Sequence, residues 1–144
     1  SALCVARALP HDGKLLCLDI DDKWTSIAGK YWEQAGVTDK VELRIGPAIE
    51  TLEKLDFETF FDFAFIDADK NEYNSYYELV LPHIRSNGLI LFDNMLLGGR
   101  VLEGVSDHEN AKAIRELNAK LAMDSRIECV LLPIADGIQF CRKR

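Results

Sequence analysis

The 144-residue sequence has only three histidines and four cysteines, and no two cysteines form a CxxC pair. A zinc site built from clustered Cys and His is therefore disfavoured, and the well-separated Cys4, Cys17, Cys129 and Cys141 are expected to be buried, reduced thiols. Basic residues are also scarce. The 17 Lys and Arg fall short of the 24 Asp and Glu, giving a formal net charge of −7. A chain of that sign lacks the cationic footprint behind most non-specific nucleic-acid binding and has no basic amphipathic helix for an anionic membrane. No apolar run approaches the ~20 residues of a spanning helix, and the start shows no basic-then-apolar signal pattern, so a cytoplasmic protein is expected. There is no internal repeat, low-complexity tract or Pro/Ser-rich linker among the four scattered prolines. Residues 1–144 read as one domain, with 48% hydrophobic residues to fill its core.

Four short apolar runs punctuate the chain: Lys14 to Asp19, Val41 to Ile45, Phe61 to Asp67 and Gly88 to Asp93. They have the length of strands, and the first and last are apolar on both faces, as buried parallel strands are. Helical patterns lie between them over Lys23 to Gln34, Ala48 to Lys54 and Asn74 to His83, with Gly36 and Gly88 expected near helix ends. Alternation of this kind predicts an α/β fold with a mostly parallel sheet. A further helix is expected from about Glu109 to Ala122. It is followed by two strands, Ile127 to Pro133 and Gly137 to Arg142, turning at Ala135-Asp136-Gly137 into an antiparallel hairpin. Met95 to Asp107, with three glycines, reads as a mobile loop after the fourth strand.

Three expected strands end in a carboxylate, at Asp19, Asp67 and Asp93. In an open α/β sheet the carboxyl ends of the strands form one edge where ligands bind, and acids gathered there need a cation or donors between them. The plainer reading of each is an N-cap for the next helix. The densest cluster is Phe65-Ile66-Asp67-Ala68-Asp69-Lys70 with Leu91-Phe92-Asp93-Asn94. Asp67, Asp93 and Asn94 offer an oxygen-only ligand set too small to enclose a large ion, which suits Mg²⁺ and allows Ca²⁺ or Mn²⁺. Lys70, one step from such an ion, would have its pKa drawn towards that of a general base, against the plainer reading of a solvated lysine at a helix start. Asp19 suits a ribose-binding acid. His11, His83 and His108 do not converge and read as surface or capping residues.

Taken together, these motifs resemble the cation-dependent, S-adenosylmethionine-dependent O-methyltransferases of the caffeoyl-CoA and catechol type. The likeness runs through Ala8-Leu9-Pro10, Gly13-Lys14, Leu18 to Asp21, Ala35-Gly36-Val37, Gly46-Pro47-Ala48, Phe63 to Lys70 with Tyr73 and Tyr76, and Leu91 to Asn94. It implies a Rossmann-like class I methyltransferase sheet. Asp67, Asp93 and Asn94 would be metal ligands, Lys70 the catalytic base, and Ser1, Asp19, Ala48, Asp69 and Tyr76 cofactor contacts. The implied cofactors are S-adenosyl-L-methionine and a divalent cation, Mg²⁺ before Ca²⁺ or Mn²⁺. The reaction would methylate one hydroxyl of a vicinal diol on a small catechol-like acceptor, in a homodimer. Some relatives of this type modify a tRNA base, which the acidic charge disfavours. The resemblance also implies that a glycine-rich cofactor loop, a central first strand and N-terminal helices precede the position of Ser1. Leu97 stands where plant relatives often carry tryptophan, so a large aromatic thioester is not implied. Two other Mg²⁺-using families fit part of the pattern: haloacid-dehalogenase-type phosphatases, which place Asp-x-Asp after an apolar strand, and receiver-type signalling domains, which place an acidic pair after one strand and a phosphorylatable Asp after another. Lys70 is unlike the small residue the first requires at that point, and Asp93-Asn94 stands where the second requires a lysine.

Overall fold

The computed structural model describes residues 1–102 and 104–144. It divides into two compact units, Ser1–Lys54 and Leu55–Arg144.

The first unit runs α1 (Ala2–Ala8), β1 (Leu15–Asp19), α2 (Asp22–Gln34), β2 (Val41–Ile45) and α3 (Ala48–Leu52). β1 and β2 are parallel, paired from Leu15 with Val41 to Asp19 with Ile45, and α2 supplies the crossover a parallel pair needs. Asp21 starts α2 by accepting hydrogen bonds from the backbone N–H groups of Lys23 (2.9 Å) and Trp24 (3.2 Å). Gly36, just beyond its end, has φ +66° as expected of a residue closing a helix. Ala6, Trp32 and Val37 are buried, with Leu3, Leu15, Cys17, Val41 and Leu43 packed against them.

The second unit runs β3 (Phe61–Ile66), α4 (Tyr73–Val80), β4 (Ile84–Phe92), α5 (Glu109–Met123), β5 (Ile127–Leu132) and β6 (Ile138–Lys143). Its sheet has the order β3-β4-β6-β5. β3 and β4 are parallel, whereas β6 runs antiparallel to both β4 and β5. Tyr73 and Tyr77 of α4 pack their rings against Phe92, with centroids 5.6 and 6.2 Å apart. Ile84, Ile90, Met95, Ile114, Leu117, Leu121 and Cys141 complete this core, all essentially inaccessible.

The α/β alternation and terminal hairpin are as expected, and β1 and β3 each lie at an end of their own sheet. Four details differ. β4 begins at Ile84, not Gly88. After Ile84 the extra residues are polar (Arg85, Ser86, Asn87), the register with β3 shifts between Phe61 and Phe63 and Asn87 has φ +66°, so no apolar run announces them. Gly88 therefore lies inside a strand rather than at a helix end. A Cβ there would come within 2.6 Å of the Ile84 side chain and 3.0 Å of the carbonyl oxygens of Arg85 and Asp62. In the segment read as a mobile loop, Leu97–Gly99 form a 3-10 turn; Glu103 lies outside the described residues. Of the cysteines, all are free, but only Cys141 is buried. Cys17 is half-buried and Cys4 and Cys129 are exposed, because α1 turns Cys4 outward and Cys129 sits on the edge strand β5.

Candidate functional site

The parallel register pairs Ile66 with Phe92, so Asp67 and Asp93 follow side by side at the carboxyl ends of β3 and β4. The Asp93 N–H still donates to the Ile66 carbonyl at 3.1 Å. Tyr73, on the first turn of α4, reaches back beneath both strand ends. Its hydroxyl lies 3.2 Å from the carbonyl oxygens of Ile66 and Asp93, to which it donates. The Lys70 Nζ donates to that hydroxyl at 2.7 Å and to Asp67 Oδ1 at 3.2 Å. It also lies 4.7 Å from the centroid of the Tyr73 ring. The Lys70 side chain is 13% exposed, and that of Asp67 is 52% exposed. Lys70 is thus a largely sequestered side chain aimed at the strand ends, not a lysine standing in solvent. Burial, followed by the charge of Asp67, pushes the Tyr73 phenol well above its ordinary pKa, so the hydroxyl stays protonated.

Asn94 has φ +59°, a left-handed conformation that asparagine tolerates better than most residues. Its N–H donates to Asp93 Oδ1 at 2.7 Å. Its side-chain Nδ2 donates to Asp136 Oδ2 at 3.2 Å, leaving the amide oxygen without a partner among the described residues. Asp136, in the β5–β6 turn, also accepts from the Gly98 N–H. The turn is held to the segment after β4 by Met95 N–H to Gly137 O and Leu96 N–H to Asp136 O, both 2.9 Å.

Among the described residues no three His, Cys, Asp or Glu side chains form a metal-binding group. The donor set here is two carboxylates and an amide oxygen. Hard oxygen donors on two adjacent strand ends, with the amide nitrogen already engaged elsewhere, fit a small divalent ion that keeps waters in its shell.

The plainer reading of the strand-terminal acids as N-caps does not hold. In both Asp19-x-Asp21 and Asp67-x-Asp69 the second acid caps. Asp69 Oδ1 accepts from the Asn71 N–H (3.0 Å) and Nδ2 (3.1 Å), and Asp21 caps α2. The first acid of each pair is left exposed; Asp19 accepts only from the Asp21 N–H, at 2.9 Å. Tyr76 is buried, its hydroxyl donating to Glu72. In the first unit, Ser1 precedes α1 without a side-chain cap, and Ala48 opens the short α3 after Gly46-Pro47. His108 caps α5 by accepting from the Asn110 N–H at 3.3 Å, His83 Nδ1 lies 2.9 Å from the Thr59 carbonyl oxygen, and His11 is exposed.

Sequence reasoning assigned no role to Tyr73 or Asp136. Tyr73 stands three residues after Lys70, a spacing that places both side chains on one side of a helical turn and could have marked the pair. Asp136 reads as a turn residue, and nothing local signals its contact 42 positions away.

Comparison with known proteins places the chain in a family. Residues 1–144 match the model of an O-methyltransferase family. The chain is 44% identical over 147 residues to "Probable caffeoyl-CoA O-methyltransferase 2" of Dictyostelium discoideum, covering 99% of this chain and 64% of that protein. The O-methyltransferase from Bacillus cereus in complex with SAH superposes with a TM-score of 0.90 at 29% identity, over 99% of this chain and 68% of the other. An O-methyltransferase from Streptomyces achromogenes in complex with SAM gives 0.91 at 26%, over 99% and 67%. The present chain thus spans about two-thirds of the length of these proteins. The likenesses do not favour the phosphatase or receiver alternative. No described helix is long and apolar enough to cross a membrane.

Proposed function

Because the chain belongs to the O-methyltransferase family, we propose that it carries the acceptor-activating machinery of an S-adenosylmethionine- and divalent-cation-dependent O-methyltransferase acting on one hydroxyl of a catechol-like vicinal diol. The observation that carries this reading is the juxtaposition of Asp67 and Asp93 on paired strand ends with Lys70 hydrogen bonded to Asp67.

Asp67, Asp93 and the Asn94 amide oxygen would hold the cation, which when bound supplies Lewis acidity and a template for two neighbouring hydroxyls. A phenol has a pKa of ~10, so its ionisation at pH 7 costs about 4 kcal/mol and needs both charge stabilisation and a base. Lys70 Nζ is that base, taking the phenolic proton. Tyr73 positions it, because a phenol held protonated can accept from the lysine while it donates to the strand-end carbonyls. Asp136 orients Asn94 by occupying its amide nitrogen. S-adenosylmethionine supplies the methyl group, in keeping with the SAM and SAH complexes of the structural relatives. The residues proposed as cofactor contacts, each from the family resemblance alone, are Ser1, Asp19, Ala48, Asp69 and Tyr76. Asp19 takes the ribose hydroxyls through its exposed carboxylate.

Mn²⁺ titration followed by electron paramagnetic resonance, run beside methyl-transfer assays with catechol and S-adenosylmethionine, tests the reading. Asp67→Asn should lose Mn²⁺ binding, whereas Lys70→Met should retain it and lose turnover. A folded chain that takes up no Mn²⁺, or whose transfer to catechol is indifferent to EDTA, refutes the metal-assisted mechanism.

A further inference from the structure

Cys129 of β5 and Cys141 of β6 face each other directly in the antiparallel register. Which kind of pair they form follows from the backbone. The Arg144 N–H donates to the Arg126 carbonyl at 3.0 Å, so Arg126 and Arg144, one step beyond the Ile127–Lys143 pair, form a hydrogen-bonded pair. Hydrogen-bonded and non-hydrogen-bonded pairs alternate along an antiparallel ladder. The register is unbroken from Ile127–Lys143 to Leu132–Ile138. Three steps from Arg126–Arg144, Cys129 and Cys141 are therefore a non-hydrogen-bonded pair. There the Cα atoms stand about 4.5 Å apart with side chains on the same face, inside the ~4.4–6.8 Å span a disulfide bridges.

We propose that Cys129 and Cys141 are a redox-active dithiol that closes reversibly into a cross-strand disulfide. The surroundings divide the roles. Cys129, on the edge strand, is exposed, with its Sγ 3.4 Å from the Leu121 carbonyl oxygen. Cys141, on an interior strand, is fully buried and paired on its other side with Ile90. Cys129 is the thiol an oxidant reaches, and Cys141 is the resolving thiol. With hydrogen peroxide as oxidant, the Cys129 thiolate attacks one oxygen, the O–O bond breaks and hydroxide leaves, giving a sulfenic acid. The Cys141 sulfur then attacks the Cys129 sulfur; the S–S bond forms, the S–O bond breaks, and hydroxide departs with the Cys141 proton as water. Two thiols lose two electrons and two protons while one peroxide becomes two waters. Burial pushes the Cys141 thiol up to about 12 and raises that of Cys129, so closure at neutral pH is slow and quickens with alkalinity. The bond would tie together the two strands whose turn presents Asp136 to Asn94.

The test equilibrates the folded chain in glutathione buffers from reducing to oxidising, denatures it in acid, alkylates it and cleaves it before Asp136, which separates the two cysteines. The expected result is loss of two hydrogens from the intact mass, with the Cys129 and Cys141 fragments linked until reductant is added. Oxidised protein should also have a higher urea midpoint. Cys129→Ser should fold as the parent does and abolish the link, which keeps the test decisive should Cys141→Ala fail to fold. Full alkylation of both cysteines across the whole buffer range, linkage to Cys4 or Cys17 instead, or a stable glutathione adduct on Cys129 that never resolves would each overturn the proposal.

Discussion

Replacing Gly137 with alanine should destabilise the second unit by more than backbone conformation alone predicts. Gly137 has φ +84°, and a Cβ there would stand 2.6 Å from Leu96 Cγ, 2.9 Å from Leu96 N and 3.1 Å from Leu96 Cδ1. The left-handed conformation costs an L-residue about 1–2 kcal/mol. Steric overlap in a packed region adds roughly 1–3 kcal/mol, the more so because the obstructing atoms include backbone. With a urea m-value of about 2 kcal/mol/M, the sum of roughly 2–5 kcal/mol lowers the unfolding midpoint by about 1–2.5 M. Gly98→Ala is the matched control. Gly98 has φ +61°, and a Cβ there would meet nothing within 4 Å, so only the strain applies, about 0.5–1 M. Near-UV circular dichroism of the tyrosines is the suitable probe, since Tyr73, Tyr76 and Tyr77 lie in the second unit, whereas Trp24 and Trp32 lie in the first. Equal shifts for the two variants would refute the argument from Leu96.

Tyr73→Phe should keep the ring packed on Phe92 and lose about 1–2 kcal/mol in urea unfolding; methyl transfer should fall while Mn²⁺ affinity holds. Asp136→Ala should weaken Mn²⁺ binding about 10–100-fold, read by electron paramagnetic resonance, because it frees the Asn94 amide to turn. Arg126 binds both Asp124 and Glu78, holding Asp124 well below the usual carboxylate range and Glu78 at about 2. Depressed carboxylates stabilise the fold above their unfolded pKa values and lose that contribution as pH falls through the folded ones. Urea midpoints should therefore drop from about pH 4.5 towards pH 2, less steeply in Arg126→Met, with the partly exposed Glu78 contributing no more than about 1 kcal/mol.

Much of this was legible because local chemistry and topology agree. Apolar runs that stop at an acid mark β1 and β3, and the Asp136-Gly137 turn marks the hairpin. Asp67, Lys70, Asp93 and Asn94 stand next to strand ends, so reading the strands locates the cluster. What escaped depends on distant parts of the chain. The first half of β4 is a lone buried Ile84 paired with Phe61 of β3 followed by three polar residues, and α1 is too short to show a period. The accessibility of Cys129 is set by which strand lies at the sheet's edge. Asp136 acquires its role only once β6 docks on β4, bringing the turn to Asn94.

The strand order of the second unit also bears on how the chain is made. β6 lies between β4 and β5 but follows both in sequence, so on a ribosome the interior strand emerges after its neighbours. About 50 residues separate the end of β4 from the end of β6, which at ~5–20 residues per second leaves β4 without that partner for several seconds. During that interval Ile90 and Phe92 lack their pairing with Cys141 and Gln139. The nascent chain should be a client for holding chaperones until β6 arrives, and a stall within α5 would leave it there.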